Sequence, residues 1–521
     1  EDILEDTLIE NRQAIEMIKK YSDNKLIALN MIWSMVAVAV NYAITFFMTS
    51  YVTNTAGAEA FGFVTLSNTL TSYIDVISIA LNAFACRYIS IAFHKGNIEE
   101  ANKYFNSVII ADTVLSIFII AIGTPTILNL EHILNISREL VVDVKILFVL
   151  TLFRYTITII GTAFSVGTFI TNRISLSERQ KSISYLVQGF FLIFLFGVFE
   201  TRIWYVGIAL LIASVYVFAT NIHYTKVLTS ELRFNISKFD TAAIKKLISL
   251  GIWNSINNFG NILNSGLDLI VTNLMLSPFV MGEISIGKSL GTICNTLLES
   301  ATNSFRPKLL QIYASGNTET LVSEFKKAMK TTGMISNIIF TGFVVCGRDL
   351  FRLWLPTQNA EFLYIIAIIV LMSDIIIGVV KPLYYVFTLT KKLKVPCFIT
   401  IATGIINVVS MYILIRYTSL GAYAVVLTTL VLNYVHFFDT PIYAAYCLKV
   451  KLTTFYSSII EHFLTCFIQV FLMYWAFLRF PNCDNWLTFV LKCVMVGGGA
   501  IVLNAIIIFL EKYWNRRHEQ A

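Results

Sequence analysis

The chain carries none of the short patterns that mark a catalyst. It has no GxSxG, no HExxH, no phosphate-cradling glycine loop and no paired carboxylates in an aqueous segment. Hydrolytic, metalloprotease and nucleotide-driven chemistry therefore have no visible seat. Any transport is expected to be secondary, driven by a gradient. The eight cysteines (Cys86, Cys294, Cys346, Cys397, Cys447, Cys466, Cys483 and Cys493) lack CxxC or CxxH spacing and fall mostly within apolar runs. They read as small core residues, so neither a metal site nor a disulfide framework is expected. The six histidines are dispersed; only His436 lies well inside an apolar run, where a packing role is expected over the alternative of a proton relay.

Charge is also scarce, at 14% of residues against 56% hydrophobic, with a mean hydropathy of +0.72. A soluble domain of 521 residues could not bury that much apolar surface. Apolar runs of roughly 20 residues suit helices crossing a bilayer, whereas a barrel would show short alternating segments. The fold class is therefore all-α, a polytopic membrane bundle. The net charge of +7 does not point to nucleic acid, because the basic residues occupy short connections between apolar runs.

Fourteen spans are expected, near 26–51, 62–86, 105–126, 142–170, 182–199, 203–222, 247–276, 279–305, 331–347, 362–388, 395–415, 421–447, 455–478 and 486–510. Sorted by alternate connections, 28 lysines and arginines fall on one side. Only Arg138, Lys145, Arg202, Arg348, Arg352, Arg416 and Arg479 fall on the other. Such an imbalance places both termini in the cytoplasm and supports an even number of spans. The outer connections are too short to hide an extracellular catalytic domain. A retained first helix, rather than a cleaved signal peptide, starts near Leu26.

The chain also repeats itself. A constant shift of 220 positions carries Lys25 onto Lys245, Ile32-Trp33 onto Ile252-Trp253, Asn41 onto Asn261, Gly62 onto Gly282, Gly96-Asn97 onto Gly316-Asn317 and Phe105 onto Phe325. Six-helix repeats preserve orientation, so the copies are parallel. The expected organisation is a cytoplasmic amphipathic segment at 1–24, a first lobe at 25–222, a cytoplasmic linker at 223–246, a second lobe at 247–447, and two further spans with a tail at 448–521.

Polar residues within the spans are the candidates for function. In the seventh span Asn254, Asn257, Asn258, Asn261, Asn264, Ser265 and Asp268 recur every three or four positions and predict one polar face about four turns long. Such a face is expected to meet protein or water rather than lipid. The eighth span adds Lys288, Thr292, Asn295, Glu299 and Asn303, the second Asn68, Ser72, Asp75 and Asn82, and the first Asn30, Ser34, Asn41 and Thr45. These four helices are expected to line the substrate path. Arg154, Lys288 and Lys381 are basic residues several turns inside spans, a costly placement that suggests function. For Lys381 a salt bridge to Asp374 is an equal alternative. Substrate-binding candidates are thus Arg154, Lys288, Lys381, Asn41, Asn68, Asn254, Asn258 and Asn261; candidates for coupling to H+ or Na+ are Asp75, Asp112, Asp268, Glu299 and Asp374. Lys381-Pro382 and Asp439-Thr440-Pro441 predict kinks in the tenth and twelfth spans. No cofactor is expected.

The stretches Asn41-Tyr42, Ile44, Phe46-Phe47, Gly57-Ala58-Glu59-Ala60-Phe61-Gly62-Phe63, Ala80-Leu81-Asn82, Arg87-Tyr88-Ile89 and Asn97-Ile98-Glu99-Glu100-Ala101-Asn102 resemble the N-terminal signature of bacterial polysaccharide flippases of the Wzx type. These belong to the multidrug/oligosaccharidyl-lipid/polysaccharide exporter superfamily. The resemblance implies two six-helix lobes plus two helices in the bacterial plasma membrane. It implies a carrier turning undecaprenyl-pyrophosphate-linked oligosaccharide from the inner to the outer leaflet by alternating access, with a cationic cavity to which Arg154 and Lys288 could contribute. Membrane lipid and other polysaccharide-assembly proteins are the implied partners, and nucleic acid is not. The competing readings are a drug or organic-cation antiporter, for which twelve spans and an acid-lined site are expected, and a membrane-embedded polymerase or acyltransferase.

Overall fold

A computed structural model describes residues 23–519. The amphipathic segment expected at 1–24 lies, apart from its last two residues, outside the described residues. Among the described residues every regular element is a helix. Eleven helices among the described residues are long and apolar enough to cross a membrane, the first running Ile32–His94. That first helix is two legs meeting at Gly57, whose φ of 88° breaks the helical path. With the second leg, and with the polar seventh (Thr241–Asn261 and its continuation) and eighth (Pro278–Ala314) helices, the count reaches the fourteen spans expected.

The repeat is visible in helix boundaries as well as in residues. The third span starts at Ile98 and the ninth at Thr318; the fifth starts at Ile174 and the eleventh at Lys394; the second ends at His94 and the eighth at Ala314. Local geometry follows the same shift. Gly96 and Gly316 take φ of 76° and 75°, a left-handed conformation that closes a helix at little cost only for glycine. Asn97 and Asn317 then cap the next helices, accepting from the amides of Glu100 at 3.1 Å and Thr320 at 3.0 Å.

The kinks fall where proline puts them. The tenth span runs Ala360–Val380, passes through a 3-10 turn at Lys381–Leu383 and resumes at Tyr384–Leu389. The twelfth breaks between Ala422–Asn433 and His436–Leu448, ahead of Pro441. Pro441 has no N–H to offer the carbonyl of Phe437; the Tyr456 hydroxyl donates to that oxygen at 3.3 Å instead.

The helices gather into two compact units. One comprises residues up to Ala56 and Phe63–Ile262, the other Gly57–Gly62 and residues from Leu263 onward. The division between these units falls inside the seventh span, and the last two spans fall in the second unit. Lipid is as apolar as leucine, so helices in a bilayer associate through close packing and hydrogen bonds. In the second unit the duplicated glycines meet: a Cβ on Gly62 would lie 2.9 Å from the Gly282 backbone, and one on Gly282 would lie 2.0 Å from the Ala58 carbonyl oxygen.

In the first unit, the connection after the sixth span is strapped to the third. Asn102 donates to the Glu231 carbonyl and accepts from the Arg233 amide, both at 2.9 Å. One turn later Asn106 donates to the Arg233 carbonyl at 2.9 Å and accepts from the Asn235 amide at 2.6 Å. Ser107 accepts from the Asp240 amide at 2.8 Å. The side chains of one helix face thus read an irregular backbone as a neighbouring strand would, satisfying groups that secondary structure leaves unpaired.

Two outcomes are expected. Gly282→Ala forces overpacking that costs about 1–3 kcal/mol or more and should lower the melting temperature of the purified protein. Gly342→Ala, whose Cβ would meet nothing within 4 Å, should not; equal melting of the two variants would show that the close approach is dispensable. Asn106→Ala removes three side-chain hydrogen bonds, two of them to the 231–240 connection, from a fully buried position, a loss of about 1–3 kcal/mol. Limited proteolysis should then cut within 231–240 faster than in the parent protein.

Candidate functional site

The polar face of the seventh span is divided by its backbone. A π turn at Ile262–Gly266 separates Thr241–Asn261 from Asp268–Met275. The wider turn rotates everything beyond it relative to a regular helix. Asn254, Asn257 and Asn261, before the turn, are exposed, and Asn258 is half-buried. Within the turn and after it, Asn264 is half-buried and Asp268 fully buried, whereas Ser265 stays exposed. Asn264 donates to the Thr400 carbonyl at 2.7 Å and to the Thr403 hydroxyl at 3.3 Å, while Asn407 donates to the carbonyl of Asn264 at 2.6 Å. The face expected to be continuous from Asn254 to Asp268 is therefore two faces, the first open and the second an interhelical clasp.

In the first unit the second, third and fourth spans bring polar groups together. Tyr155 donates to Asp75 Oδ1 at 2.6 Å, and the Ser78 hydroxyl lies 3.2 Å from that of Tyr155. Asn82 donates to Asp112 Oδ1 at 2.9 Å, leaving Asn82 Oδ1 and Asp112 Oδ2 buried without partners among the described residues. Arg154 stands beside this group, half-buried and within electrostatic reach of Asp75 and Tyr185. Its guanidinium closes no ion pair among the described residues. Asn41 and Asn68 are half-buried, and among the described residues Asn68 bonds its own helix, donating to the Val64 carbonyl at 3.0 Å.

In the second unit the cations are committed. Lys288 pairs with buried Asp268 at 2.5 Å and donates to the Ser265 carbonyl at 2.7 Å. Lys381 donates to the Asn295 carbonyl at 3.0 Å, within electrostatic reach of exposed Glu299 and of Asp374. Asn295 donates through its side chain to Asp374, so three polar residues of the eighth and tenth spans form one cluster. The direct Asp374–Lys381 salt bridge considered from their spacing is replaced by this shared use of Asn295. The repeat adds a contrast: the shift of 220 carries Arg154 of the fourth span onto Asp374 of the tenth.

Three groupings were not legible in the sequence. Lys492 and Asp349 form a buried ion pair at 2.8 Å that joins the fourteenth span to the ninth. Tyr155 holds Asp75. His436 Nδ1 lies 3.2 Å and 3.3 Å from the two Asp439 oxygens. Only the last left a trace, in the spacing of three that puts both side chains on one helix face.

Comparison with known proteins accords with this architecture. Residues 27–313, more than half of the chain, match the family described as polysaccharide biosynthesis protein. The chain is 25% identical over 438 residues to the uncharacterized membrane protein EpsK of Bacillus subtilis (strain 168), covering 83% of this chain and 86% of EpsK. Its fold is similar to that of lipid II flippase MurJ in an inward closed conformation, with a TM-score of 0.66 at 16% identity over 92% of this chain and all of MurJ. It is also similar to an inward-facing multidrug resistance MATE family transporter of the MOP superfamily, with a TM-score of 0.64 at 15% identity over 80% of this chain and 99% of that one. At these identities the two structures speak to fold alone. The family match is the stronger finding, and on it this multi-pass membrane protein belongs to the polysaccharide biosynthesis protein family.

Proposed function

We propose that this chain is a flippase that carries undecaprenyl-pyrophosphate-linked oligosaccharide from the inner to the outer leaflet of a bacterial plasma membrane. It works by alternating access, without chemistry on its substrate, with both termini in the cytoplasm and in company with other polysaccharide-assembly proteins. The observation that carries the reading is Arg154. A guanidinium about two and a half turns from the nearest end of a membrane helix (Val141–Ala163) is costly. Here it is committed to no carboxylate and keeps donors suited to a bidentate grip on phosphate oxygens. The exposed amides of Asn254, Asn257 and Asn261 add the paired donors and acceptors that sugar hydroxyls use. Family membership and the fold shared with a lipid II flippase support the same class of cargo.

An organic-cation antiporter of the same fold is less favoured. In the second unit Asp268 already holds the Lys288 ammonium, and Lys381 stands beside Asp374. A cationic drug would find internal cations where its counter-charges should be.

The reading is tested in liposomes containing a fluorescent undecaprenyl-pyrophosphate oligosaccharide, with an impermeant quencher reporting the outer leaflet. The parent protein should exchange the probe between leaflets. Arg154→Gln, by losing charge-assisted hydrogen bonds worth about 1.5–3 kcal/mol, should slow exchange about 10- to 100-fold, with partial recovery in Arg154→Lys. Transport of ethidium without lipid movement would overturn the proposal. Lys288 has a separate expectation. Lys288→Met alone leaves Asp268 buried without its partner, a cost of about 3–5 kcal/mol, and the double variant with Asp268→Asn should regain most of the lost thermal stability. If the double variant also flips lipid at the parent rate, Lys288 is structural rather than part of the cargo site.

A further inference from the structure

We propose that His436 and Asp439 form a proton-binding site in the broken middle of the twelfth span, and that protonation there couples the carrier to a pH gradient. The inference rests on the reading of the chain as a gradient-driven carrier and names the residues through which the gradient acts.

Two spans are broken at this place. The twelfth lacks regular helix between Asn433 and His436, and the tenth passes through its 3-10 turn immediately before Tyr384. Irregular backbone at membrane depth persists where it is buried in protein or lines a cavity. Here it borders a cavity of about 10 Å³ whose polar lining is Tyr384, Thr400, His436, Asp439, Thr440 and Tyr443. That volume suits one water or one hydronium, and the lining offers more than the two polar partners such a guest requires.

The pair is built for a single proton. His436 Nδ1 faces both carboxylate oxygens of Asp439, and the Thr440 hydroxyl donates to Oδ1 at 3.0 Å. Side-chain exposures of 12% and 17% keep the pair sheltered and reachable. Imidazole is the side chain that ordinarily changes charge between about pH 5 and 8. Among the described residues, the polar groups that face the pair from neighbouring elements include the Tyr384 ring of the tenth span, its centroid 6.5 Å from that of His436, and Thr400 of the eleventh. From the thirteenth, the Tyr456 hydroxyl donates to the Phe437 and Phe438 carbonyls at 3.3 Å and 3.4 Å. No lysine or arginine lines the cavity among the described residues, and Lys381, at the tenth-span break, turns to the Asn295 carbonyl. A hydronium can therefore pass its proton to the pair, leaving a water behind and adding one positive charge; release reverses the step.

His462 provides the contrast. It is 5% exposed, its Nε2 donates to the Ile375 carbonyl at 3.1 Å, and no carboxylate pairs with it among the described residues. It is a packed ring, whereas His436 sits between a carboxylate and a cavity.

Hydrogen–deuterium exchange of residues 434–443 in nanodiscs, followed from about pH 5.5 to about pH 8, tests the site without any substrate. In the parent protein the protection of this segment should pass through one titration step that is missing from His436→Gln and from Asp439→Asn. No step in the parent, or an unchanged step in both variants, would overturn the proposal. In the liposome assay, a gradient of about one pH unit should skew the leaflet distribution of the probe by up to about tenfold for one proton per cycle, and both variants should lose the skew. A full skew in His436→Gln would also overturn it. If the parent protein moves no lipid yet the exchange step is present and lost in the variants, the flippase reading fails and the proton site stands.

Discussion

Inside a bilayer a polar side chain has no water to fall back on, so each such group must find a partner within the protein or face a water-filled space. The arrangement of this chain follows from that constraint. Lys492 is held by Asp349, Lys288 by Asp268, Asn264 by the eleventh span, and the carbonyl orphaned by Pro441 by the Tyr456 hydroxyl. Since lipid gives no hydrophobic incentive for helices to leave it, these pairings and the glycine contacts at Gly62 and Gly282 hold the second unit together. Arg154, whose guanidinium closes no ion pair among the described residues, stands outside this pattern.

The constraint also separates what was readable in the sequence from what was not. Span number and the repeat were legible because they depend on periodic properties, apolar length and the residues flanking it. Gly96 and Gly316 take the same φ because the same turn was written twice. The kink at Lys381-Pro382 was legible because proline acts on its own helix. Pairings between helices were not, because distance along the chain says nothing of distance in space. Lys288 and Asp268 lie 20 residues apart, Lys492 and Asp349 lie 143 apart, and only the structure shows that each cation has a partner. The π turn was likewise hidden, since a polar stripe of regular spacing implies a regular helix, and one wide turn sends its second half elsewhere.

In the second unit, broken helices and polar clusters coincide. The tenth span passes through its 3-10 turn at Lys381, where the Asn295 cluster forms, and the twelfth breaks just ahead of His436. Backbone groups freed by a break are available to side chains and small guests, which is why membrane carriers concentrate chemistry at such places. The strap on Asn102, Asn106 and Ser107 is the opposite use of irregular backbone: freed groups are bound so fully that the connection from Glu231 to Asp240 behaves as part of the unit that carries it.

The correspondence of Arg154 with Asp374 bears on how the duplication has aged. The fourth and tenth spans keep the same register, yet the position they share is basic in one copy and acidic in the other. The internal symmetry is thus one of path and not of potential. A duplicated helix has kept its place in the chain while the charge at one of its positions was reversed, so the two copies are not interchangeable.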